Sequence, residues 1–521
     1  MDKNTYNRSD EYLLSSHTQQ ISKIEKLASQ LRKRSKETIL ASKRSSSRTS
    51  IEKLSFPSDL DIETHFGTLI PQSISMNDDT RFAAMKHKLM TAINTIDIKC
   101  ILYKIRYYLS TDTPPVDSAL QSGIIHFLLQ YLKFGDSDIA YHAGWCINNA
   151  IAKKNCGDEM VELGLLESTL SLIKSPKENL KEIAIWIIGN LAGENIKLRN
   201  KVIDANIMAD LMPILESSDN YKIATIRIMT WTISNIIRGR PNPPYEKISC
   251  YLAYLHTYAY SPDKETVLNA LWAISYVTDC DRDNYLLFLN KKFLDHIVEF
   301  LVPGKEEFFR PCLRIVGNIC AEHDFDIKCI MNGGFLHNAQ QLAASIIDDH
   351  DNESLLKEIL WIVSNMAAGT EENLQILFDE GFINMAFQLI SGTYTEAVKN
   401  ESLYIISNSC NHPNKCQYEK LTEMYAITIM ANYLNENAET DKLTFNLIAT
   451  LNEMLKIARS LGSLQKITTE MQTSGALEKI EKLMKCQNKE MADRCTYIID
   501  VYFSRSTAMS LISEMEEGNN I

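Results

Sequence analysis

Seven times along the chain, an aromatic residue or an Arg stands four residues ahead of an amide or a Tyr. The pairs are Trp145/Asn149, Trp186/Asn190, Trp231/Asn235, Trp272/Tyr276, Arg314/Asn318, Trp361/Asn365 and Tyr404/Asn408. Residues four apart lie on one helix face, about one turn from each other. The residues between them, such as Ile187 and Ile188, point to a core. A buried amide costs about 1–3 kcal/mol unless it is hydrogen-bonded. For any single pair the plain structural alternative is an Asn that caps a neighbouring helix and a Trp that fills core. Repetition favours a row of ligand-facing pairs. An Asn amide carries a donor and an acceptor, so it can bond the N–H and C=O of an extended peptide. Neighbouring indoles would flank the methylenes of a Lys or Arg, with cation–π attraction worth about 0.5–2 kcal/mol. Acids beside the pairs would then select the charged head. The candidates are Glu194, Asp279, Asp324, Glu358 and Glu401.

Such a row needs repeated elements to carry it. The pairs recur at steps of 41, 45, 41, 42, 47 and 43 residues. That is the spacing of armadillo and HEAT units, at about 40–47 residues. A second signal runs in register: Gly123, Gly164, Gly334, Gly381 and Gly475 each precede an apolar pair. Gly at such a point ends one helix and lets the next pack closely. One unit cannot bury its apolar face alone, whereas stacked units can. The expected fold is all-α, a right-handed superhelical armadillo-repeat solenoid of about ten repeats with a long concave groove. A basic N-terminal tail precedes it.

Composition agrees with this. At 521 residues the chain is too long for one core, since single cores stop growing near about 250–300 residues. With only 19 Gly and 13 Pro, collagen-like, disulfide-scaffold and turn-rich all-β chains are disfavoured. The net charge is −12, yet the first 55 residues carry 12 Lys/Arg against 6 Asp/Glu, leaving −18 on the rest. An acidic body argues against nucleic acid and for basic partners. No signal peptide and no membrane span are expected. The 12 Cys form no C-x-x-C pair. Cys146, Cys312 and Cys320 read as buried small hydrophobes in a reducing compartment. Cys410, His412 and Cys416 lack a fourth ligand, so no metal is expected. No phosphate loop, nucleophile elbow or metalloprotease helix is visible, and the chain reads as no enzyme, without cofactors.

The segments EIAIWIIGNLAGEN, IMTWTISNIIRGRPNPP, ALWAISYVTDC, CLRIVGNIC, EILWIVSNMAAGT and ESLYIISNSCN resemble importin alpha, the karyopherin adaptor for nuclear localisation signals. The resemblance runs from about residue 95 to 505, and the Trp ladder broken by Arg in a middle repeat carries it. It implies a major cargo site of Trp145, Asn149, Trp186, Asn190, Glu194, Trp231, Asn235, Arg238, Trp272, Tyr276 and Asp279. It implies a minor site of Arg314, Asn318, Asp324, Glu358, Trp361, Asn365, Glu401, Tyr404 and Asn408. The tail segment ASQLRKRSKETILASKRSSS resembles an importin-beta-binding domain. Arg32, Lys33, Arg34, Lys36, Lys43 and Arg44 would carry that contact, or fold back into the acidic groove as an autoinhibitor. Residues 1–55 are this tail, 56–80 a linker, 81–505 the repeats and 506–521 an acidic C-terminal tail. The implied partners are cargo proteins with basic signals, importin beta, and an export receptor at the C-terminal repeats. Shuttling between cytoplasm and nucleus through the nuclear pore follows. The competing reading is a generic armadillo scaffold for another extended peptide.

Departures from the family pattern fall at the major site, and one, Tyr404, at the minor site. Lys153 and Lys154 stand where the family has a Gly and a Thr near the key lysine pocket. Asn269 replaces an Asp, and Tyr404 a Trp. Replacing Lys153 and Lys154 by Gly and Thr is expected to tighten binding of a single-cluster basic peptide, measured by fluorescence anisotropy. Unchanged or weaker binding would refute a repulsive role.

Overall fold

The computed structural model describes residues 62–70, 77–111, 113–133, 135–153, 155–280, 285–322, 330, 334–435 and 442–503. Among them every regular element is a helix. They fall into two compact units, one ending at Phe288 and one beginning at Leu289. The basic tail with Arg32, Lys33, Arg34, Lys36, Lys43 and Arg44 lies outside the described residues, as do Lys154, Asp324 and the acidic C-terminal tail.

Each unit is a stack of long helices. In the first, the helices Thr95–Leu109, Ser137–Lys153, Glu178–Glu194, Ile223–Ile237 and Lys264–Val277 pack in that order, each on the next. In the second the succession is Glu306–Glu322, Glu353–Ala367, Glu396–Ser409, Lys442–Ser460 and Lys489–Tyr502. Shorter helices join them, such as Gly157–Glu162 and Leu165–Ile173 between the Trp145 and Trp186 helices. This is the all-α armadillo solenoid expected from the repeat period. The middle helices are buried almost all round. On Glu178–Glu194, every residue from Ile183 to Ala192 is buried, as its apolar composition demands.

Local chemistry sets the boundaries. Asn94, Asn195, Asp263, Asn290 and Asn488 cap helix N-termini, each accepting a backbone N–H three residues on. Asn414 and Gln417 complete a reciprocal capping box, which satisfies two otherwise orphaned donors. All five expected glycines turn between helices with positive φ, from 70° at Gly123 to 90° at Gly164. Asn206 and Tyr425 take the same left-handed turn, at φ 54° and 60°.

One boundary needs correction. Residues 62–69, within the span read as a linker, form a helix that packs on Thr95–Leu109. Phe66 and Ile70 are buried there, and His65 Nε2 meets Asp97 Oδ1 at 2.8 Å. Two apolar residues suffice because they cover the open face of the first long helix. The repeats then begin at Asp78, where Asn77 caps the next helix.

The long helices approach closely where a small residue faces an indole. A Cβ built on Gly189 would overlap the Trp231 ring, and one on Gly317 the Trp361 ring. In an ordinary helix, Gly→Ala stabilises by about 0.5–1 kcal/mol. Here overpacking, worth about 1–3 kcal/mol, outweighs it. Gly189→Ala and Gly317→Ala are each expected to lower the melting temperature; a rise in either would show that the contact yields.

Candidate functional site

The four indoles of the first unit, Trp145, Trp186, Trp231 and Trp272, are buried, between 2% and 8% exposed. Asn149, Asn190, Asn235 and Tyr276 are buried beside them. In the second unit Trp361, Asn365, Arg314 and Tyr404 are half-buried, and Asn318 and Asn408 buried. Seven of the ten long helices thus carry one pair each, on corresponding positions of successive repeats.

The amides do something the sequence alone did not reveal. Asn235 Nδ2 donates to the Gly189 carbonyl at 3.0 Å, and Asn408 Nδ2 to the Ser364 carbonyl at 2.8 Å. Asn190 Nδ2 donates to Asn148 Oδ1 at 2.6 Å, and Asn149 Nδ2 to Ser110 Oγ at 2.8 Å. Each acceptor lies in the preceding repeat, and three of them immediately precede that repeat's own amide. A backbone carbonyl only accepts, so each such Asn must turn its NH2 group to the preceding helix. One N–H of each of these NH2 groups thus holds the stack, while the second N–H and the oxygen are not used by that bond.

Several buried polar atoms at the ladder lack a hydrogen-bond partner among the described residues. They include Trp145 Nε1, Asn190 Oδ1 and Asn365 Nδ2. Buried polar groups are normally satisfied, so these atoms are exceptions within the stack.

The expected slots between neighbouring indoles are not uniform. Trp145 and Trp186 touch edge to face, with ring centroids 5.2 Å apart at 64°. An alkyl chain between two rings needs contact distances of about 3.5–4.0 Å on each side, so no slot exists there. Trp272 instead stacks on Tyr276 of its own helix, at 6.1 Å and 24°.

The acids are engaged by the chain itself. Both Glu194 carboxylate oxygens accept the Gly157 N–H at 3.2 Å. Asp279 accepts from Arg240 Nη2 at 2.8 Å. The loop that brings Arg240 there is held by Arg199, a buried guanidinium donating to the carbonyls of Arg238, Gly239 and Pro241 at 2.8–2.9 Å. Glu358 meets Arg310 Nη1 at 3.2 Å. Burial pushes its carboxyl above the usual carboxylate range, while Arg310, Arg314 and Lys357 pull the other way. Glu401 is buried. Asn269, read as a lost acid, donates Nδ2 to the Arg227 carbonyl at 3.2 Å, a bond no carboxylate could make.

Cys146, Cys312 and Cys410 are buried packing residues: burial raises the Cys146 and Cys312 thiols, and the Cys410 thiol to about 12. Among the described residues no group of three His, Cys, Asp or Glu is arranged to hold a metal ion. No described helix is long and apolar enough to cross a membrane.

The sequence profile described as Kinesin-associated protein (KAP) matches residues 102–508. The chain belongs to this armadillo-like family. Several of its curated relatives are importin alpha subunits. Importin subunit alpha-5 of Arabidopsis thaliana is 27% identical over 428 residues, 80% of each chain. Importin subunit alpha-8 of the same plant is 25% identical over 75% of this chain and 86% of its own. Importin subunit alpha-1b of Oryza sativa subsp. japonica is 28% identical over 252 residues, and the match spans about half of that protein, 46%. The crystal structure of an engineered protein aligns with 82% of this chain and 100% of its own, at TM-score 0.68 and 17% identity. That last likeness concerns the fold alone.

Sequence reasoning missed His142, one turn before Cys146 on the Trp145 helix. It is fully buried, and neither ring nitrogen has a hydrogen-bond partner among the described residues. Burial, helped by Arg106 and Lys99 and opposed by Asp138 and Asp136, draws its pKa down to about 3. Tyr103 and Tyr141 pack against the ring edge-on. Between the ordinary value of 6.5 and about 3 the unfolded chain binds a proton that the folded chain refuses. Stability is therefore full at neutral pH and falls as pH falls. Denaturant unfolding should show a loss of about 2 kcal/mol between pH 7 and 5 from this residue. His142→Phe should remove that part of the slope; an unchanged slope would assign acid sensitivity elsewhere.

Proposed function

We infer that the chain is a nuclear import adaptor. It holds Lys/Arg-rich nuclear localisation signals along the indole–amide ladder and joins them to importin beta through its basic N-terminal tail. It carries no chemistry of its own. The observation that supports this best is the ladder pair repeated on seven long helices, with acids beside it, on a body of strongly negative charge. The importin alpha names of its relatives point the same way. Cargo enters by competition: its cations replace Arg240 at Asp279 and Arg310 at Glu358. Its backbone N–H groups meet the Asn oxygens. The tail competes for the same acids until importin beta removes it, so the chain shuttles between cytoplasm and nucleus with cargo bound on the inward trip. The second reading, an armadillo scaffold for a different protein partner, is favoured by the kinesin-associated family name. It needs no basic peptide.

Anisotropy with a labelled Lys/Arg-rich peptide separates the two. Binding should be salt-sensitive and tighter without residues 1–60, and importin beta should bring the full chain to the same affinity. Asp279→Asn, which keeps the shape, should weaken binding about five- to tenfold. Trp186→Ala with Asn190→Ala should weaken it at least tenfold, with the melting temperature as control. The adaptor reading fails if neither form of the chain binds the peptide in a salt-sensitive way.

A further inference from the structure

Trp145 stands apart from the other indoles of its unit. Trp186 meets it edge to face, which closes the gap on that side. A second neighbour is a cation: Arg106 Cζ lies 4.7 Å from the Trp145 ring centroid and 5.8 Å from that of Tyr141. Arg106 comes from Thr95–Leu109, the long helix of the preceding repeat. The chain therefore already supplies, from within, the kind of group that a ladder indole is suited to receive.

Arg106 is half-buried, and burial draws its guanidinium pKa down while Tyr141, Cys146 and Tyr103 push the other way. An arginine still keeps its charge under such conditions. Among the described residues no carboxylate forms an ion pair with it. Nearby acids are committed: Asp136 and Asp138 both hold Lys99, at 3.0 and 3.1 Å. The His142 ring beside it is neutral. Lys153, one turn beyond Asn149 on the same helix, adds a second positive charge towards this end of the unit. A half-buried guanidinium stacked on aromatic rings without a counter-ion is suited to an incoming carboxylate, because charge-assisted bonds strengthen as water is excluded.

We propose that Arg106 is a specificity-determining residue. It occupies the Trp145 position itself, and the bound peptide presents an acidic side chain there, beside a basic run that lies over Trp231 and Trp272 near Asp279. The ligand class is a mixed-charge segment, a Lys/Arg cluster with Asp or Glu on one flank. This rests on the peptide-binding reading above and deepens it. It also gives Lys153 a role: a charge that repels a cargo lysine attracts a flanking acid.

The test uses the full-length chain and labelled peptides sharing one basic run. Their flanks are neutral, Lys on both sides, Glu on the N-terminal side, or Glu on the C-terminal side. One Glu-flanked peptide should bind about fivefold tighter than the Lys-flanked one. Arg106→Met, which keeps the methylene stem on Trp145, should abolish that preference and leave the neutral-flanked peptide within twofold. Equal or tighter binding of the Lys-flanked peptide by wild type overturns the proposal, and this arm needs no variant to fold. A Glu preference that survives in Arg106→Met overturns it too. If no peptide binds at all, the peptide-binding reading falls and takes the proposal with it. If peptides bind without a flank preference, only the proposal falls.

Discussion

The amide that reaches back one repeat is the interaction on which the rest depends. Asn235 to Gly189 and Asn408 to Ser364 are bonds from side-chain amide to backbone carbonyl, across the seam between two long helices. Such a carbonyl is already an acceptor within its own helix, and its second lone pair takes the amide. The seam must be narrow for this, and the small acceptor residues Gly189 and Ser364 make it narrow. Gly189 lies under Trp231, and the Asn235 amide sits within 3.0 Å of where a Cβ on Gly193 would be. Indole, glycine and amide are therefore one joint. Enlarging the glycine, or removing the amide's donor, loosens the spacing at which every other ladder residue is presented.

That joint explains why a costly polar residue recurs in a buried row. With its NH2 group tied to the preceding helix, the amide cannot rotate freely. Its oxygen is fixed before any ligand arrives, which reduces the ordering cost of binding.

Much of this was legible in the sequence, for physical reasons. The helix turns were legible at the five glycines because a left-handed backbone selects Gly. Asn206 and Tyr425 make the same turn without announcing it, since the stacking of their neighbours imposes the conformation. The ladder was legible because its period is that of the repeat. The helix at 62–69 was not: with few apolar residues it is stabilised by a surface contributed from Thr95–Leu109, 30 residues on. What pairs with each candidate acid was equally hidden. Arg240 lies 39 residues from Asp279, and Arg310 lies 48 from Glu358, and only stacking brings them together.

Those pairings change how the negative charge of the body acts. A count of −18 on everything after the basic tail suggests open acids waiting for cations. In the structure Asp279 and Glu358 face arginines of the same chain, and Glu194 faces a backbone N–H. On the adaptor reading, a basic ligand would not fall into a vacant field; it would exchange with a resident partner, and its affinity would be the difference between the two pairings. A compact run of lysines or arginines would win by several simultaneous exchanges, whereas one stray cation would gain almost nothing. Resident cations would thus convert a general acidity into a threshold on cluster length. At Trp145, where no acid among the described residues pairs with Arg106, the same logic favours an anion.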